Sequence, residues 1–364
     1  MSSRPSATRS PDPVAWLEAF PQWPAGGLGL GRMRALLERL GHPERGYDAV
    51  HVVGTKGKST AARTIAALLR AEGRPAAAYT SPHVSGWWER LETDPEGFRT
   101  ALARVRDDAE AVGASQFEIV TAAAFADFAA RGVETAVVEA GVGGRLDATN
   151  VVDASVVLLT NVGLDHVELL GETREAIARE KLAVAGPAAT VVLPDAEFEG
   201  LVPGRRVLAG GAREAASAVL GRPVEAQVEV RLPGRLELRP GEVRDGAHTP
   251  EAVDWLLERL PEPGPYVVVA SLLADKDVDA ILERLARAGA ILVATRSSNA
   301  RALPAAELAV RAQGVFERVE AVDDPAAALE RARRIGSPLL VTGSLYLLAD
   351  LSVAEWNAYD DATR

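Results

Sequence analysis

The sequence predicts an α/β protein: a P-loop-type, doubly wound, mostly parallel sheet followed by a second, smaller Rossmann-like α/β domain. Three observations predict it. Short apolar, β-branched runs alternate with segments of helical period, the pattern of parallel strands joined by crossover helices. Polar clusters stand directly after the strands, where a doubly wound sheet gathers its ligand. Residues 49–53 form an apolar run that passes through Gly54-Thr55-Lys56-Gly57-Lys58-Ser59-Thr60 into a helix with Ile65, Leu68 and Leu69 on one face.

The chain is organised around that last stretch. Strand, glycine loop and helix together present backbone N–H groups and a helix N-terminus to phosphate. Gly54, Thr55, Gly57, Lys58, Ser59 and Thr60 are the candidate phosphate ligands, with Lys58 reaching the outer phosphates and Ser59 or Thr60 contacting phosphate or magnesium. The loop is shorter than the strict P-loop pattern, which wants a glycine five residues before Gly57, where Val52 stands. On pattern alone, a plain strand-to-helix turn with a solvated lysine is the alternative.

Upstream, 1–27 reads as a disordered or irregular leader. Residues 1–13 are rich in Ser, Arg and Pro and have no apolar core, so neither a signal peptide nor a membrane span is expected there. Residues 35–40 make an amphipathic helix stopped by Gly41 and Pro43. Residues 76–79 form a strand ending at Thr80-Ser81-Pro82-His83, 98–112 and 119–130 are helices, and 135–139 is a strand closing on a carboxylate, Glu139. A glycine-rich loop follows over 140–150, carrying Arg145, Leu146, Asp147 and Ala148. Residues 155–159 form another buried strand that runs on to Asp165 and His166, and 174–184 form a helix with Glu180 and Lys181. Pro233-Gly234-Arg235 and Pro240-Gly241 mark a change of character, which places the domains at 28–235 and 236–364. Beyond it, Asp245-Gly246-Ala247-His248-Thr249-Pro250 opens a helix over 251–260, and 266–270, 291–294 and 339–341 are strands with helices between them.

The 364 residues suit two or three domains, and 48% hydrophobic with 25% charged residues is the make-up of an ordinary globular chain with a proper core. A net charge of −11 argues against a nucleic-acid-binding surface, while a local basic site for an anionic substrate stays open. The absence of cysteine excludes disulfides, thiolate metal sites and a cysteine nucleophile, and fits a cytoplasmic location. No segment is long and apolar enough to span a bilayer, so no membrane partner is expected.

Glu139 and His166 suit a magnesium ion whose shell is completed by substrate phosphates. Histidine is an unusual magnesium ligand, so a hydrogen-bonding loop role is the alternative for His166. Arg145 and Asp147 could bind an anionic substrate or pair with each other. Glu180 and Lys181 could lie on a solvated helix face, and His248 could belong to a helix cap.

These motifs, in this order and with Thr342-Gly343-Ser344-Leu345-Tyr346, resemble folylpolyglutamate synthase/dihydrofolate synthase, a family of the Mur ligase superfamily, from about residue 28 to residue 348. The most specific part is the loop from Glu139 to Asn150. The resemblance implies a Mur ligase central domain in which Ser81, Glu139 and His166 bind Mg²⁺. Gly57, Lys58, Ser59 and Thr60 would hold the ATP phosphates, and Arg235 and Asp245 would contact ATP. Leu146, Asp147 and Ala148, with Phe117 and Glu118, would face the pteridine substrate. Lys181 matches a lysine that is carbamylated in the family, and His248 joins Lys58 and Lys181 as a catalytic residue. The implied activity is an ATP-dependent amide ligase of folate biosynthesis and one-carbon metabolism, a cytoplasmic monomer. It would add L-glutamate to a folate, and to dihydropteroate where it is bifunctional, through an acyl phosphate with release of ADP and phosphate.

The chain departs from the family pattern in places. Thr249 stands where asparagine is usual, Ala215 falls near an expected nucleotide-contacting asparagine, and the stretch between Lys181 and Arg235 is short. The segment after His83 keeps Glu89-Arg90 but lacks the usual Ile-Asn-Gly that follows. Two rival readings are a Mur-type ligase with a different carboxylic acid acceptor and a nucleotide-binding protein without catalysis.

Overall fold

The computed structural model describes residues 12–24, 26–164, 167–261 and 264–352. It divides into two units, one taking the chain up to Pro82 and Trp87–Val230, the other His83–Gly86 and the chain from Arg231 onward. The short stretch His83–Gly86, read from the sequence as part of the first domain, thus packs with the second: Val84 is buried among Val267, Val269 and Leu348.

The first unit is built on a six-stranded parallel sheet in the order β2-β3-β1-β4-β5-β6. Its strands are β1 (Asp48–Val53), β2 (Ala76–Tyr79), β3 (Thr135–Glu139), β4 (Val156–Leu159), β5 (Thr190–Leu193) and β6 (Arg206–Ala209). The central strand β1 is paired on both sides, Val50 lying opposite Val137 and Val156. A strand covered on both faces has no solvent side to fill with polar residues, hence the largely apolar runs, interrupted in β1 by the buried His51. Alternate residues divide between two layers. Ala49 and Val53 face the helices α1 (Pro13–Glu18), α2 (Gly31–Arg39), α4 (Pro95–Val112), α5 (Gln116–Ala130) and α7 (Arg174–Leu182). Val50 and Val52 face α3 (Lys58–Ala71) and α8 (Ala212–Leu220). A short α6 (Val167–Leu170) precedes α7.

Helix boundaries follow local chemistry. Asp94 caps α4 by accepting from the Gly97 N–H, Pro95 takes the first turn, and Gly113 ends the helix in the left-handed region at φ 64°. Ser115 and Glu118 form a capping box at the start of α5. Ile65, Leu68 and Leu69 of α3 are fully or almost fully buried, as their spacing predicts. Part of the region read as an irregular leader is corrected. Pro13–Glu18 is a helix that buries Trp16 and Leu17 in the core, because two large apolar side chains outweigh the polar composition around them. Within that reading, residues 1–11 and 25 lie outside the described residues.

The second unit has its own six-stranded sheet, ordered β11-β10-β9-β12-β8-β7. The hairpin β7 (Glu237–Arg239) and β8 (Glu242–Arg244) supplies its one antiparallel pair among the described residues. The remaining strands β9 (Val267–Ala270), β10 (Ile291–Ala294), β11 (Arg318–Ala321) and β12 (Leu339–Thr342) are parallel. One face packs on α9 (Pro250–Leu257), α10 (Val278–Leu285) and α11 (Ala305–Ala312), the other on α12 (Pro325–Ile335). The sheet is mostly parallel, as expected for a Rossmann-like domain. Among the described residues no helix is long and apolar enough to cross a membrane.

Candidate active site

The phosphate loop connects the end of β1 to α3. Gly57 is the helix N-cap at φ 79°, a conformation glycine adopts without strain, and Lys58 is the first helical residue. Gly54 stands at φ 150°, and a Cβ there would fall 1.9 Å from the Thr160 hydroxyl. The loop can therefore lie against the chain leaving β4 only with glycine at this position. Several hydrogen bonds brace the two segments. Thr55 N–H donates to the Asn161 carbonyl (3.1 Å) and Lys56 N–H to Asn161 Oδ1 (2.9 Å). Asn161 Nδ2 and Thr160 Oγ1 both donate to the Lys56 carbonyl, at 2.8 and 2.7 Å. Thr160 and Asn161 were given no role from the sequence; their place directly after a buried strand, opposite the glycine loop, is the signal that could have found them.

Ser59, on the first turn of α3, donates its hydroxyl to Glu139 Oε1 at 3.1 Å, and the Ser81 N–H donates to Glu139 Oε2 at 2.9 Å. Glu139 closes β3 and is buried. The structure thus brings Ser59, Ser81 and Glu139 together from three segments. Among the described residues no three His, Cys, Asp or Glu side chains gather into a metal cage of their own. A buried carboxylate beside a serine hydroxyl offers oxygen donors, the atom type that Mg²⁺ takes together with substrate phosphates and water. His166, the third expected ligand, and Asp165 lie outside the described residues.

Lys181, on the last turn of α7, is buried, and its Nζ donates to the Gly54 carbonyl at 2.9 Å. The solvated-face alternative is thereby corrected. The glycine-rich loop explains how α7 comes so close: a Cβ on Gly144 would sit 2.6 Å from the Lys181 carbonyl oxygen, and the Arg145 N–H donates to the Glu180 carbonyl at 3.2 Å. Arg145 pairs with Glu180 (2.9 Å) at the surface, not with Asp147.

Asp147 is the hub of the same loop. Its Oδ1 accepts from the Thr149 N–H (3.0 Å) and the Thr149 hydroxyl, and its Oδ2 accepts from the Val142 N–H (2.9 Å). Burial pushes the Asp147 carboxyl above its ordinary range, against the pull of these hydrogen bonds. Ala148 is buried beside it, while Leu146 is exposed. Phe117 lies against the loop, its ring 2.7 Å from where a Gly141 Cβ would stand, and faces the Tyr79 ring at 6.3 Å. The buried Glu118 carboxylate serves the α5 capping box and takes Arg32 Nε at 3.2 Å, so it holds the helix start.

In the second unit, Asp245 joins two turns, accepting from the Leu236 N–H (2.7 Å) and the Ala247 N–H (2.8 Å), and burial pushes its carboxyl upward. The Arg235 guanidinium lies over Gly246, 3.0 Å from where a Cβ would be. His248 Nδ1 stands 2.7 Å from the Gly246 carbonyl, so this nitrogen carries the proton. Thr249, not His248, caps α9, accepting from the Ala252 N–H at 3.3 Å.

Comparisons with known proteins agree with this geometry. The Mur ligase middle domain model matches residues 52–192, and the Mur ligase glutamate ligase domain model matches residues 234–345. The chain is 30% identical over 410 aligned residues to a dihydrofolate synthase/folylpolyglutamate synthase of Mycobacterium tuberculosis, covering 85% of this chain and 84% of the relative. It is 29% identical to a folylpolyglutamate synthase of Lacticaseibacillus casei, covering 92% and 96%. Its structure is similar to that of the Mycobacterium tuberculosis folylpolyglutamate synthase complexed with ADP and AMPPCP, with a TM-score of 0.79, 27% identity and coverage of 94% and 97%. It is similar also to a bifunctional folylpolyglutamate synthase/dihydrofolate synthase with Mn, AMPPNP and L-glutamate bound, with a TM-score of 0.78, 25% identity and coverage of 95% and 98%. The chain belongs to the folylpolyglutamate synthase/dihydrofolate synthase family of Mur-type ligases and is an ATP-dependent ligase.

Proposed function

We propose that the chain joins the amino group of L-glutamate to a carboxylate of a pteroyl acid, a reduced folate or dihydropteroate, by way of an acyl phosphate. The observation that carries this reading is the phosphate loop itself. Lys58 and Ser59 stand at a helix N-terminus beside the buried Glu139, with Lys181 held on the loop's own Gly54 carbonyl. The relatives' names and the nucleotide, metal and glutamate bound in the similar structures support it.

A carboxylate oxygen of the pteroyl acid attacks the terminal phosphorus of ATP, and the bond to the ADP oxygen breaks. Lys58 and the N–H groups at the start of α3 neutralise the charge on the transferring phosphoryl group; positioning and charge neutralisation supply most of such a reaction's acceleration. The glutamate amine then attacks the acyl carbon, and phosphate leaves carrying the former carboxylate oxygen. His248 keeps its proton on Nδ1 against the Gly246 carbonyl, and the proposed role of this ring is to take the proton the amine loses. Arg235 and Asp245 form the nucleotide-contacting part of this unit, and Leu146, Ala148 and Phe117 the wall towards the pteridine. Ser59, Ser81 and Glu139, with His166, would hold Mg²⁺, which when bound offsets phosphate charge.

Lys181 is read as carbamylated. The ammonium first loses a proton to give the free amine; addition of CO₂ to that amine with loss of a second proton then gives an anionic carbamate. The reaction needs the free amine, which a buried setting favours. Lys181→Ala should lose most activity and recover part of it with added acetate; a fully active Lys181→Ala enzyme would contradict this assignment.

The function is tested by product release against a panel of pteroyl acids, other carboxylic acids and amino acids. ADP and phosphate are expected only when a pteroyl acid and glutamate are both present. The altered segment after His83 leads us to expect reduced folates to be used better than dihydropteroate. AMP with pyrophosphate, or equal turnover with an unrelated acid, would reject the reading.

A further inference from the structure

His51 occupies the middle of β1, opposite Val138 on one side and Val157 on the other, and none of it is exposed. Its Nε2 lies 2.9 Å from Thr149 Oγ1, and the Thr149 hydroxyl donates to Asp147 Oδ1. A hydroxyl has one proton. Since that proton goes to the carboxylate, Thr149 must accept from His51, which fixes the ring as the Nε2–H tautomer. Among the described residues Nδ1 is then a buried acceptor without a partner. That is a smaller loss than a buried donor without one, so the orphaned atom agrees with the tautomer. Packing alone gives no reason for the residue, since an apolar side chain would suit an all-apolar strand better.

We propose that His51 is a positioning residue for the acceptor-acid side of the reaction. Its N–H directs the Thr149 hydroxyl onto Asp147, and Asp147 shapes the glycine-rich loop. The connection to the substrate wall is short. Asp147 Oδ2 and the Phe117 ring close on Gly141 from two sides, at 2.9 and 2.7 Å from where its Cβ would be, so a shift of the carboxylate moves that loop against Phe117. His51 touches neither the nucleotide loop's hydrogen bonds nor Glu139 among the contacts given above. Its effect should therefore fall on the acid and spare ATP. The inference rests on the reading that this loop and Phe117 face the pteroyl acid.

Steady-state KM for tetrahydrofolate and for ATP, with a melting temperature for each variant, tests it. His51→Leu and Thr149→Val should raise the KM for the acid about tenfold, as expected when one buried hydrogen-bond partner is left unpaired, with the KM for ATP unmoved. His51→Gln places an amide N–H near the Nε2 position, and Thr149→Ser keeps the hydroxyl; both should restore the KM for the acid most of the way. The proposal is overturned if the KM values for acid and ATP rise together, if His51→Gln is as impaired as His51→Leu, or if the apolar variants behave as wild type. If His51→Leu does not fold, the Thr149 pair decides; if neither apolar variant folds, the role is structural and the proposal is overturned. Phe117→Leu separates this from the underlying reading. If it leaves the KM for the acid unchanged, the loop does not face the acid. If it raises that KM while the His51 and Thr149 variants do not, only the relay fails.

Discussion

A single lysine, Lys58, stands at the head of α3 and carries the proposed phosphate-loop chemistry. Lys58 Nζ lies 3.5 Å from the Thr55 carbonyl, folded back over its own loop, and the α3 N-terminus adds the positive end of the helix dipole there. Lys58→Ala should leave the melting temperature near wild type and lower kcat by about a hundredfold to a thousandfold, the cost of removing one charge-stabilising group; an unchanged kcat would remove the phosphate-loop assignment. His51 gives a prediction on stability. Burial pulls its pKa from 6.5 down to about 4. The unfolded chain takes up a proton at this residue below pH 6.5 while the folded protein resists until about pH 4. Its contribution is therefore intact above the upper value and is lost as pH falls through the window. Denaturant melts at about pH 7 and about pH 5 should show wild type losing roughly 2 kcal/mol more than His51→Gln; equal losses would place the His51 pKa near its ordinary value. Lys58, Ser59 and Glu139 were legible in the sequence because each follows a strand in a polar cluster. His51 was not, because it sits inside an apolar run and its partner Thr149 is 98 residues away.

Among the elements, the glycine-rich loop and α7 depend on each other most closely. The loop backbone at Gly144 packs on the Glu180 and Lys181 carbonyls, with no room for even a methyl group. Gly144→Ala should push α7 outward and take Lys181 from the Gly54 carbonyl, lowering both melting temperature and kcat. Gly29→Ala meets nothing within 4 Å and serves as the control. A Gly144→Ala enzyme as active as the control would show that α7 does not need this contact. The sequence revealed that both elements exist, through the glycine spacing and the helical pattern over 174–184, but not that they touch, since backbone proximity leaves no trace in side-chain pattern. Two strands of the first sheet, β5 and β6, went unread for a similar reason. Each has four residues, and the edge strand β6 is only half covered, so neither carries a long apolar run. The hairpin of β7 and β8 is equally short, and only its Pro240-Gly241 turn was visible.

At the scale of the whole molecule, each unit builds its own sheet and core, and each carries some of the candidate site residues. The first has the phosphate loop, the oxygen donors and Lys181, and the second has Arg235, Asp245 and His248. The two-domain plan was legible because strand–helix alternation restarts after Pro233. The boundary was not, because His83–Gly86 joins the second unit across a gap in sequence that composition does not mark. The net charge of −11 does not oppose phosphate binding, since Lys56, Lys58 and the start of α3 set the local field within a Debye length of about 10 Å. The proposed reaction turns on an activated carboxylate, made with ATP and consumed by an amine. The measurement that tests this most directly is turnover of a pteroyl acid whose carboxylate carries heavy oxygen, with glutamate and ATP, followed by mass analysis of the products. An acyl phosphate predicts one heavy oxygen in the released phosphate, ADP as the nucleotide product and none of the label in the nucleotide. Label recovered in AMP, or phosphate without label, would contradict it.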